Sequence, residues 1–599
     1  MSIWEKLTFH ERIINWLHRK LNRHEFLILS SILVGLSGGL AAVVLKSAVH
    51  YVHQALTKDY HLGIQPYAHL IFPSIGLLLC VWYVRRFLNG KLGRGVANVL
   101  YSIARRAGFL PRDQMYSHII TSALTVGFGG SAGLEAPIVV TGAAIGSNYS
   151  KTYHIGYRDR TLLLACGAAS GIAAAFNAPV AGLLFALEVL LADVAISAFI
   201  PLIISAAVGA LTAKILLGEG ILLTFKHIEP FAYENVLFYL LMGLVAGFIS
   251  VLYSNLYLYV EGIFHQTPKN QYRKALGAGV ALAGLIFLMP SLMGEGYESI
   301  KFLADNRPAA IFKDSLFAPF LQHQQLVLLL VIITMLVKAI AVAITIGGGG
   351  NGGNFAPSLF VGAYLGFAFS SLINLSGIAH LPITNFTLVA MAGILSGIMH
   401  APLTAVFLIA EITGGYELMI PLMIVSAIST VVVRYFNPHS MDTRQLIKKG
   451  HMLTEDKDQN ILLLLKTSKA IETGFQPVSM NATLGQLVDI VAHSQRNIFP
   501  VLDEQENLKG IILLDTIREV MFKPEMYHKA VAQFMQQPPD LLQVNENMRS
   551  VMMKFDKTGA WNLPVVDEGR YIGFISKSSL LNTYRKYLQG FVDEEEIVG

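Results

Sequence analysis

The sequence has 599 residues, of which 53% are hydrophobic and only 14% are charged. Soluble domains carry about 25% charged residues, so this composition excludes an ordinary soluble globular protein and predicts a polytopic membrane protein. The net charge of +5 comes from basic residues scattered through membrane-flanking segments such as Arg85–Arg86, and it gives no reason to expect a nucleic-acid partner.

Residues 1–25 precede the first apolar run and combine basic side chains with apolar ones at roughly helical spacing. They lack the small-residue cleavage site of a signal peptide. Two interpretations remain open: an amphipathic helix that lies on the cytoplasmic membrane surface, and a solvated helix packed on a soluble domain.

Apolar runs then follow one another from Phe26 to about Pro438. Several are long enough to span a bilayer, and others are short or interrupted by glycine. This mixture predicts tilted and broken helices that neighbouring helices shield from lipid. We divide this part into a first membrane repeat at 26–240 and a second at 241–440.

The division rests on two motifs that each occur twice. Residues 133–146 match residues 353–366 without a gap, because both contain Gly-x-x-Ala-Pro followed by Gly-Ala-x-x-Gly. A glycine-rich stretch followed by Ala-Pro recurs at Pro179 and Pro402, each with a glutamate nine residues later, Glu188 and Glu411. The chain therefore contains an internal duplication.

In each copy a glycine-rich stretch leads to a proline near the first helical position, where backbone N–H groups have no intrahelical acceptor. Such helix starts attract anions, and paired broken helices point to a binding site at the repeat interface. The alternative is a duplicated packing motif without a ligand. Glu135 favours a site, because a carboxylate in an apolar membrane segment is functional by default. The residues that stand where backbone donors would lie are Gly133, Gly353, Asn354 and Phe355.

Charged sequence after the last apolar run predicts a linker at 441–469, a soluble domain, and an acidic tail at 591–599. Within the domain the order helix, strand, strand, helix occurs twice. The predicted elements are Leu484–His493, Phe499–Leu502, Gly510–Leu514 and Thr516–Met521 in the first unit, and Met548–Phe555, Leu563–Val566, Tyr571–Ser576 and Ser579–Tyr587 in the second.

This tandem resembles a pair of CBS domains, at 470–525 and 526–590. The resemblance implies an adenine-nucleotide site in the cleft between the two copies, to which Asp515 and Ser576 would belong. The hydroxyl-then-acid signature is incomplete, because no acid follows Ser576 in the second copy. A purely structural dimerisation module is therefore the alternative, and no cofactor is required.

With its duplicated halves, Glu135, the segment Gly353–Pro357 and the trailing CBS pair, the chain resembles a prokaryotic-type CLC chloride channel or transporter. Residues 170–182 are similar to a segment typical of that family. The resemblance implies an all-α polytopic membrane protein with inverted-topology repeats and a C-terminal α/β CBS tandem. It also implies a homodimer in the plasma or inner membrane, both termini in the cytoplasm, and Glu135 as a gate that blocks the anion path when charged.

Three positions depart from the family pattern. Arg94 replaces an anion-binding hydroxyl, and it could bind the anion, reach a lipid headgroup or pair with an acid. Asp442 replaces the family's central tyrosine, and because an unpaired buried charge is costly, Arg94 is its candidate partner. Val189 stands where proton-coupled exchangers of the family carry an intracellular proton-transfer glutamate, as it does in channel members.

These residues predict transport of chloride or a similar anion, channel-like or weakly proton-coupled and open to modulation by the CBS pair. Two alternatives are a proton/chloride antiporter that uses another internal carboxylate and a CBS-regulated cation transporter. The cation transporter is disfavoured because the membrane part contains few acids, of which Glu135, Glu188 and Glu411 are the clear ones. Glu188 and Glu411 occupy equivalent repeat positions, which indicates a structural role. No P-loop, metal-ligand spacing or catalytic constellation is readable, so we predict neither an enzyme nor a metal site.

Overall fold

The structure is a computed structural model that describes residues 21–57, 65–93, 95–191, 198–218, 229–266, 270–313, 315–448 and 467–582. These residues form two compact units, one built almost entirely from the chain before residue 449 and one from the chain after residue 466. Most of the predicted N-terminal helix, most of the predicted linker and the acidic tail lie outside the described residues.

The first unit consists mainly of helices. They are α1 Arg23–Thr57, α2 Gln65–Phe87, α3 Gly95–Arg105, α4 Gln114–Val126, α5 Glu135–Thr152, α6 Tyr157–Phe176, α7 Pro179–Phe185, α8 Phe199–Leu217, α9 Val236–Gln266, α10 Gln271–Leu288, α11 Tyr297–Ala304, α12 Gln324–Gly347, α13 Phe355–Ser376, α14 Ile383–Met399, α15 Pro402–Thr413, α16 Met419–Phe436 and α17 Met441–Lys448.

Within the described ranges, eight helical segments are long and apolar enough to cross a membrane. Their packing differs from the centre to the edge of the unit. In the most apolar 18-residue stretch of Tyr157–Phe176, 89% of the residues are buried, whereas the share in Tyr233–Phe264 is 39%. The second segment leaves apolar side chains such as Leu237 and Phe248 exposed. Exposed apolar side chains on so apolar a helix suit contact with lipid. The chain is therefore a multi-pass membrane protein, as its composition predicts.

The duplication seen in the sequence is also a duplication in structure. Helix α5 packs on α6 as α13 packs on α14, with glycines at the closest approaches. Both α6 and α14 end at a residue in the left-handed conformation, Asn177 with φ 53° and His400 with φ 58°. Each is followed by Ala-Pro, with Pro179 or Pro402 as the first residue of the next helix, where the absent N–H is not needed.

The two copies meet at Gly133 and Gly353. Each glycine donates its N–H to the carbonyl of the other, with N–O distances of 2.9 and 2.8 Å, and the two segments run antiparallel. An antiparallel exchange between equivalent residues is what an inverted repeat requires, so the predicted fold class is confirmed.

Two predicted boundaries are wrong in detail. Helix α9 runs through the expected repeat boundary at 240/241, because the hydrogen-bonded helix is continuous from Val236 to Gln266. The expected linker begins with a packed helix, α17, whose Met441 and Leu446 are buried. The polar residues around Met441 and Leu446 conceal this apolar face in the sequence.

The second unit contains two three-stranded sheets of the same design. The elements are β1 Val478–Ser479, α18 Leu484–His493, β2 Ile498–Leu502, β3 Leu508–Leu513, α19 Leu514–Ile517, β4 Leu542–Gln543, α20 Met548–Thr558, β5 Asn562–Asp567 and β6 Arg570–Ser576. In each sheet the first pair of strands is parallel and the second antiparallel, with a register shift in the middle strand. The predicted helices Leu484–His493 and Met548–Phe555 and the predicted long strands are present, and the two-residue strands β1 and β4 were not predicted. The helix predicted at Thr516–Met521 is wrong in its bounds, because the helix runs from Leu514 to Ile517 and a turn follows. Most of the helix predicted at Ser579–Tyr587 lies outside the described residues.

The two copies in this unit exchange their leading segments. Glu472, which precedes β1 in the first copy, pairs with Phe574 in β6, and Gln536, which precedes β4 in the second copy, pairs with Ile511 in β3. Each sheet is therefore extended by a residue from the other copy's leading segment. This exchange holds the tandem together as one compact unit.

Candidate functional site

The paired glycines place the first turns of α5 and α13 side by side. Glu135 is the first residue of α5, and its counterpart in the other copy is Phe355, the first residue of α13. Both helices carry a proline at the third position, Pro137 and Pro357, where no intrahelical N–H bond is lost. Two helix starts therefore meet in the interior of the membrane unit.

The carboxylate of Glu135 lies at this meeting point and is only 3% exposed. Its Oε1 accepts a hydrogen bond of 2.7 Å from the hydroxyl of Tyr297. Its Oε2 accepts a longer bond of 3.4 Å from the backbone N–H of Ala356, in the first turn of α13. The carboxylate therefore accepts from a backbone N–H group at the start of α13, which the sequence predicts as an anion site.

Two cavities open on either side of this carboxylate. The Asp442 cavity, about 500 Å³, is lined by Asp442, Asn354 and Phe355 among others. The Tyr297 cavity, about 770 Å³, is lined by residues that include Tyr297. Among the described residues, Glu135 is the single residue that lines both cavities. It therefore stands where the two cavities approach each other.

The predicted backbone donors divide into two pairs. Gly133 and Gly353 use their N–H groups on each other, so the prediction that these glycines present bare donors is wrong, and their role is to join the repeats. Asn354 and Phe355 line the Asp442 cavity, and no protein acceptor for their N–H groups is present in the described part of the chain. These two residues have the geometry of anion donors.

The side chains of Asn354 and Phe355 are held by neighbours that sequence reasoning did not single out. The hydroxyl of Tyr253 donates to Asn354 Oδ1 at 2.9 Å. The ring of Phe355 lies 5.3 Å from that of Phe176 and 6.4 Å from that of Phe185, centroid to centroid. The start of α13 is therefore fixed in place by packing and by one buried hydroxyl.

The remaining predicted pathway residues are placed as follows. Asp442, at the start of α17, lines its cavity together with Glu261 and Lys274. Arg94 lies outside the described residues, so its pairing with Asp442 stays a prediction. Val189 lies in a wide π-helical turn, Ala186–Leu190, and is half-buried against apolar neighbours.

Glu188 and Glu411 have the structural duty that their repeat positions indicate. Glu188 accepts from the backbone N–H groups of Leu403 at 3.0 Å and Thr404 at 2.7 Å, in the first turn of α15. Glu411 accepts from Val180 at 3.0 Å and Ala181 at 2.8 Å, in the first turn of α7. Each glutamate therefore caps a helix of the other copy, and neither lines the two cavities.

The Tyr297 cavity contains ionisable side chains that the sequence analysis missed. The basic and acidic residues along its wall are Lys46, His50, His53, Arg307, Lys313, Glu295 and Glu298. Behind it, the Nζ of Lys338 is fully buried and donates to the carbonyls of Leu292 at 3.3 Å and Gly294 at 3.0 Å. A lysine in so apolar a helix as α12 was a readable signal, because such residues are functional hypotheses by default.

In the second unit both predicted nucleotide residues have polar partners within the protein. Asp515 is exposed and pairs with Arg518. The hydroxyl of Ser576 donates to the carboxylate of Glu472, which also pairs with Arg496 at 2.9 Å. A nucleotide phosphate at Ser576 would meet this carboxylate. No group of three His, Cys, Asp or Glu side chains is placed to hold a metal ion in the described parts of either unit.

One carboxylate of the second unit has a clear pKa shift. Asp503 follows β2 and accepts from the backbone N–H groups of Asn507 and Gln505, from the Asn507 amide and from Lys509. These donors stabilise the charged form, so they hold the pKa of the Asp503 carboxyl well below its ordinary value, the Asn507 N–H having the largest effect.

Comparisons with known proteins agree with this architecture. A family model described as "Voltage gated chloride channel" matches residues 75–434, and one described as "CBS domain" matches residues 531–586. A "Putative chloride channel protein ClcB-like" from Ralstonia nicotianae is 29% identical over 430 residues, which cover 69% of this chain and 95% of that protein. An "H(+)/Cl(-) exchange transporter ClcA" from Vibrio vulnificus is 26% identical over 413 residues, covering 66% and 83%.

Solved structures share the fold. The crystal structure of a slow cyanobacterial Cl⁻/H⁺ antiporter superposes with a TM-score of 0.61 at 21% identity, and the match covers 72% of this chain and 98% of that one.

Proposed function

The chain belongs to the voltage-gated chloride channel family, and from this premise we propose that it carries chloride or a similar small anion between the Asp442 cavity and the Tyr297 cavity, with Glu135 as the gate. The observation that carries the proposal is the position of Glu135. Its carboxylate is buried at the meeting of two helix starts and lines both cavities.

The start of α13 supplies what a passing anion needs. The N–H groups of Asn354 and Phe355 belong to the first turn of a 22-residue helix, whose aligned peptide dipoles place about half a positive charge at that end. Partial charges attract an anion without the tight binding of a fixed cation, so the anion can also leave. Phe355 and its aromatic neighbours keep the surroundings apolar.

Glu135 competes with the anion for this helix start. In the structure its Oε2 takes the N–H of Ala356, one residue after the two proposed anion donors. A charged carboxylate there repels a second anion from the same place, whereas a protonated one loses its attraction for the donors. The anion flux should therefore rise as the pH falls.

We propose that transport is channel-like or only weakly coupled to protons. Val189 cannot titrate, and it stands where the exchangers of this family carry their proton-transfer glutamate. The second candidate is proton/anion exchange. It is supported by Asp442 and Glu261, which place two titratable groups along the cavity on one side of Glu135, and by relatives whose names describe exchange.

Reconstituted flux with simultaneous pH recording separates these functions. A chloride gradient is imposed across proteoliposomes, the voltage is clamped with a potassium ionophore, and chloride and external pH are followed together. Chloride flux without stoichiometric proton movement supports the channel-like proposal. Sustained uphill proton movement at a fixed ratio supports exchange, and the absence of anion flux at every pH contradicts both. Repeating the assay with nitrate and fluoride measures selectivity.

We also propose a homodimer with one pathway per subunit and with both termini in the cytoplasm, on the strength of the family resemblance. Light scattering of the purified protein in detergent tests the first, and labelling of terminal tags in intact cells tests the second.

For the CBS tandem we propose a structural role. The residues fit an adenine nucleotide poorly, because the Glu472 carboxylate occupies the hydroxyl of Ser576 and Asp515 is paired with Arg518. Calorimetric titration of the full chain with ATP and AMP tests this, and saturable binding would contradict it.

A further inference from the structure

The loop that leads into α11 reaches the gate directly. Tyr297, the first residue of α11 after this loop, donates its hydroxyl to Glu135 Oε1 at 2.7 Å. Because a phenol is a neutral donor, Tyr297 binds the carboxylate strongly without adding a charge to the site. Earlier in the loop, Glu295 Oε1 accepts from the backbone N–H of Leu134 at 3.4 Å, so the loop touches the start of α5 twice.

The loop is held from behind by α12 and α13. Lys338 on α12 donates to the carbonyls of Leu292 and Gly294, and its Nζ lies 4.7 Å from the ring centroid of Phe360 on α13. Gly296 lies over the same ring with φ 89°, and a Cβ there would come within 2.5 Å of it. The position of Tyr297 is therefore determined by a packed, hydrogen-bonded support.

We propose that Tyr297 is a latch that holds the Glu135 carboxylate in the pathway, and that Lys338 positions this latch through the loop. The inference rests on the proposed function, in which Glu135 is the gate. A hydroxyl donates a strong bond to a charged carboxylate and a weaker one to a neutral carboxylic acid. The latch therefore holds the gate while it is charged and releases it on protonation, which widens the difference between the flux at neutral pH and the flux at acid pH.

Other charged groups share this wall, and the test must leave them in place. Those along the Tyr297 cavity are Glu295 and Glu298 near the loop, Lys46, His50 and His53 on α1, and Arg307 and Lys313 after α11. Lys338 on α12 contacts the loop, and Asp442, Glu261 and Lys274 line the Asp442 cavity on the other side of Glu135. Tyr297→Phe removes one hydroxyl and alters none of them.

The experiment compares anion flux against pH in proteoliposomes for wild type and Tyr297→Phe. A bond to a charged group is worth enough to shift the closed-to-open equilibrium about tenfold or more, so flux at neutral pH should rise by about that factor. At acid pH the variant should approach wild type. Tyr149→Phe is the matched control, because it removes another hydroxyl contact, 3.1 Å to Ser30, away from both cavities. Its pH profile should equal that of wild type.

Double variants separate this inference from the proposed function. If Tyr297 acts through the gate, Glu135→Gln/Tyr297→Phe should match Glu135→Gln alone. A flat profile for Glu135→Gln with an unchanged profile for Tyr297→Phe overturns the latch and leaves the gate standing. An unchanged profile for Glu135→Gln overturns the proposed gate itself. Lys338→Met removes the hydrogen bonds to the loop carbonyls and should shift the pH profile in the same direction. If neither Tyr297→Phe nor Lys338→Met shifts the profile, the latch is also overturned.

Discussion

The two copies of the membrane repeat hold the same residue at some equivalent positions and different residues at others. Where they agree, the copies bind each other: Gly133 pairs with Gly353, and Glu188 and Glu411 each cap a helix of the opposite copy. Where they differ, Glu135 is the first residue of α5 and Phe355 is the first residue of the equivalent helix α13. The comparison indicates that the symmetric positions build the scaffold, and it agrees with our proposal that the asymmetric one is the gate.

The contrast extends to the backbone donors. The first turns of α7 and α15 give their N–H groups to glutamates, as buried helix starts require. At the start of α13 the N–H groups of Asn354 and Phe355 have no such acceptor in the described part of the chain and face a cavity instead. The repeat therefore closes two helix starts and leaves one open to a ligand.

Removal of a symmetric cap should have the largest effect. Glu411→Ala leaves the N–H groups of Val180 and Ala181 without their acceptor, at about 1.5–3 kcal/mol for each bond to a charged group. Thermal unfolding in detergent should show this loss, and Glu188→Ala should behave alike. The control is Glu417→Ala, an exposed glutamate close by. Equal melting of Glu411→Ala and Glu417→Ala would show that the caps do not stabilise the fold.

Neutralising the asymmetric glutamate should act on flux and spare stability. Glu135→Gln keeps the shape of the side chain and an oxygen for Tyr297, but it removes the charge that blocks an anion. We expect flux at neutral pH to rise about tenfold, equivalent to about 1.4 kcal/mol, and to lose its pH dependence. Anion flux in liposomes measures the effect on transport, and thermal unfolding in detergent measures the effect on stability. A full wild-type pH dependence in this variant would assign the gate to another group.

The same substitution at the paired glycines should give different results. A Cβ at Gly133 would come closest to the flexible carboxylate of Glu135, with Ala356 next at 3.1 Å, so Gly133→Ala should displace the gate and change flux by about a few-fold. A Cβ at Gly353 would lie 2.6 Å from the Cβ of Ala136, so Gly353→Ala should destabilise the fold by about 1–3 kcal/mol. Gly284→Ala, with open space around it, is the control. If both variants change the melting temperature and neither changes the flux, the predicted difference between the two glycines is contradicted.

The smallest effect is expected in the C-terminal duplication, where Asp503 directly follows β2 and Asp567 ends the equivalent strand β5. Because the folded-state pKa of Asp503 is depressed, its stabilisation is present above the unfolded pKa and is lost as the pH falls through the folded pKa. Asp503→Asn should therefore weaken β3 at neutral pH and reduce the difference between neutral and acid pH. Hydrogen exchange of Leu508–Leu513 in the full chain, corrected for intrinsic rates, measures this, with Asp567→Asn for comparison. An unchanged pH dependence in Asp503→Asn would contradict the assignment.

Much of the fold was readable because it depends on local pattern. Apolar runs predict the spans, and the repeated short apolar runs around Phe499 and Leu563 predict the strands of the C-terminal unit. The duplicated prolines at Pro179 and Pro402 mark helix starts wherever they occur, since proline suits only the first turn of a helix. The boundary at 240/241 was wrong because nothing local distinguishes a loop from the apolar start of α9.

The site was readable only in part. By itself the sequence determined that two helix starts are duplicated and that one of them carries Glu135. Both the repeated motif and the position at which its two copies differ are visible in the chain. The tertiary structure alone decided that Gly133 and Gly353 satisfy each other and that Tyr297, 162 residues from Glu135, binds its carboxylate. Contacts over such separations are set by how helices pack in space, and no local periodicity records which side chains that packing brings together.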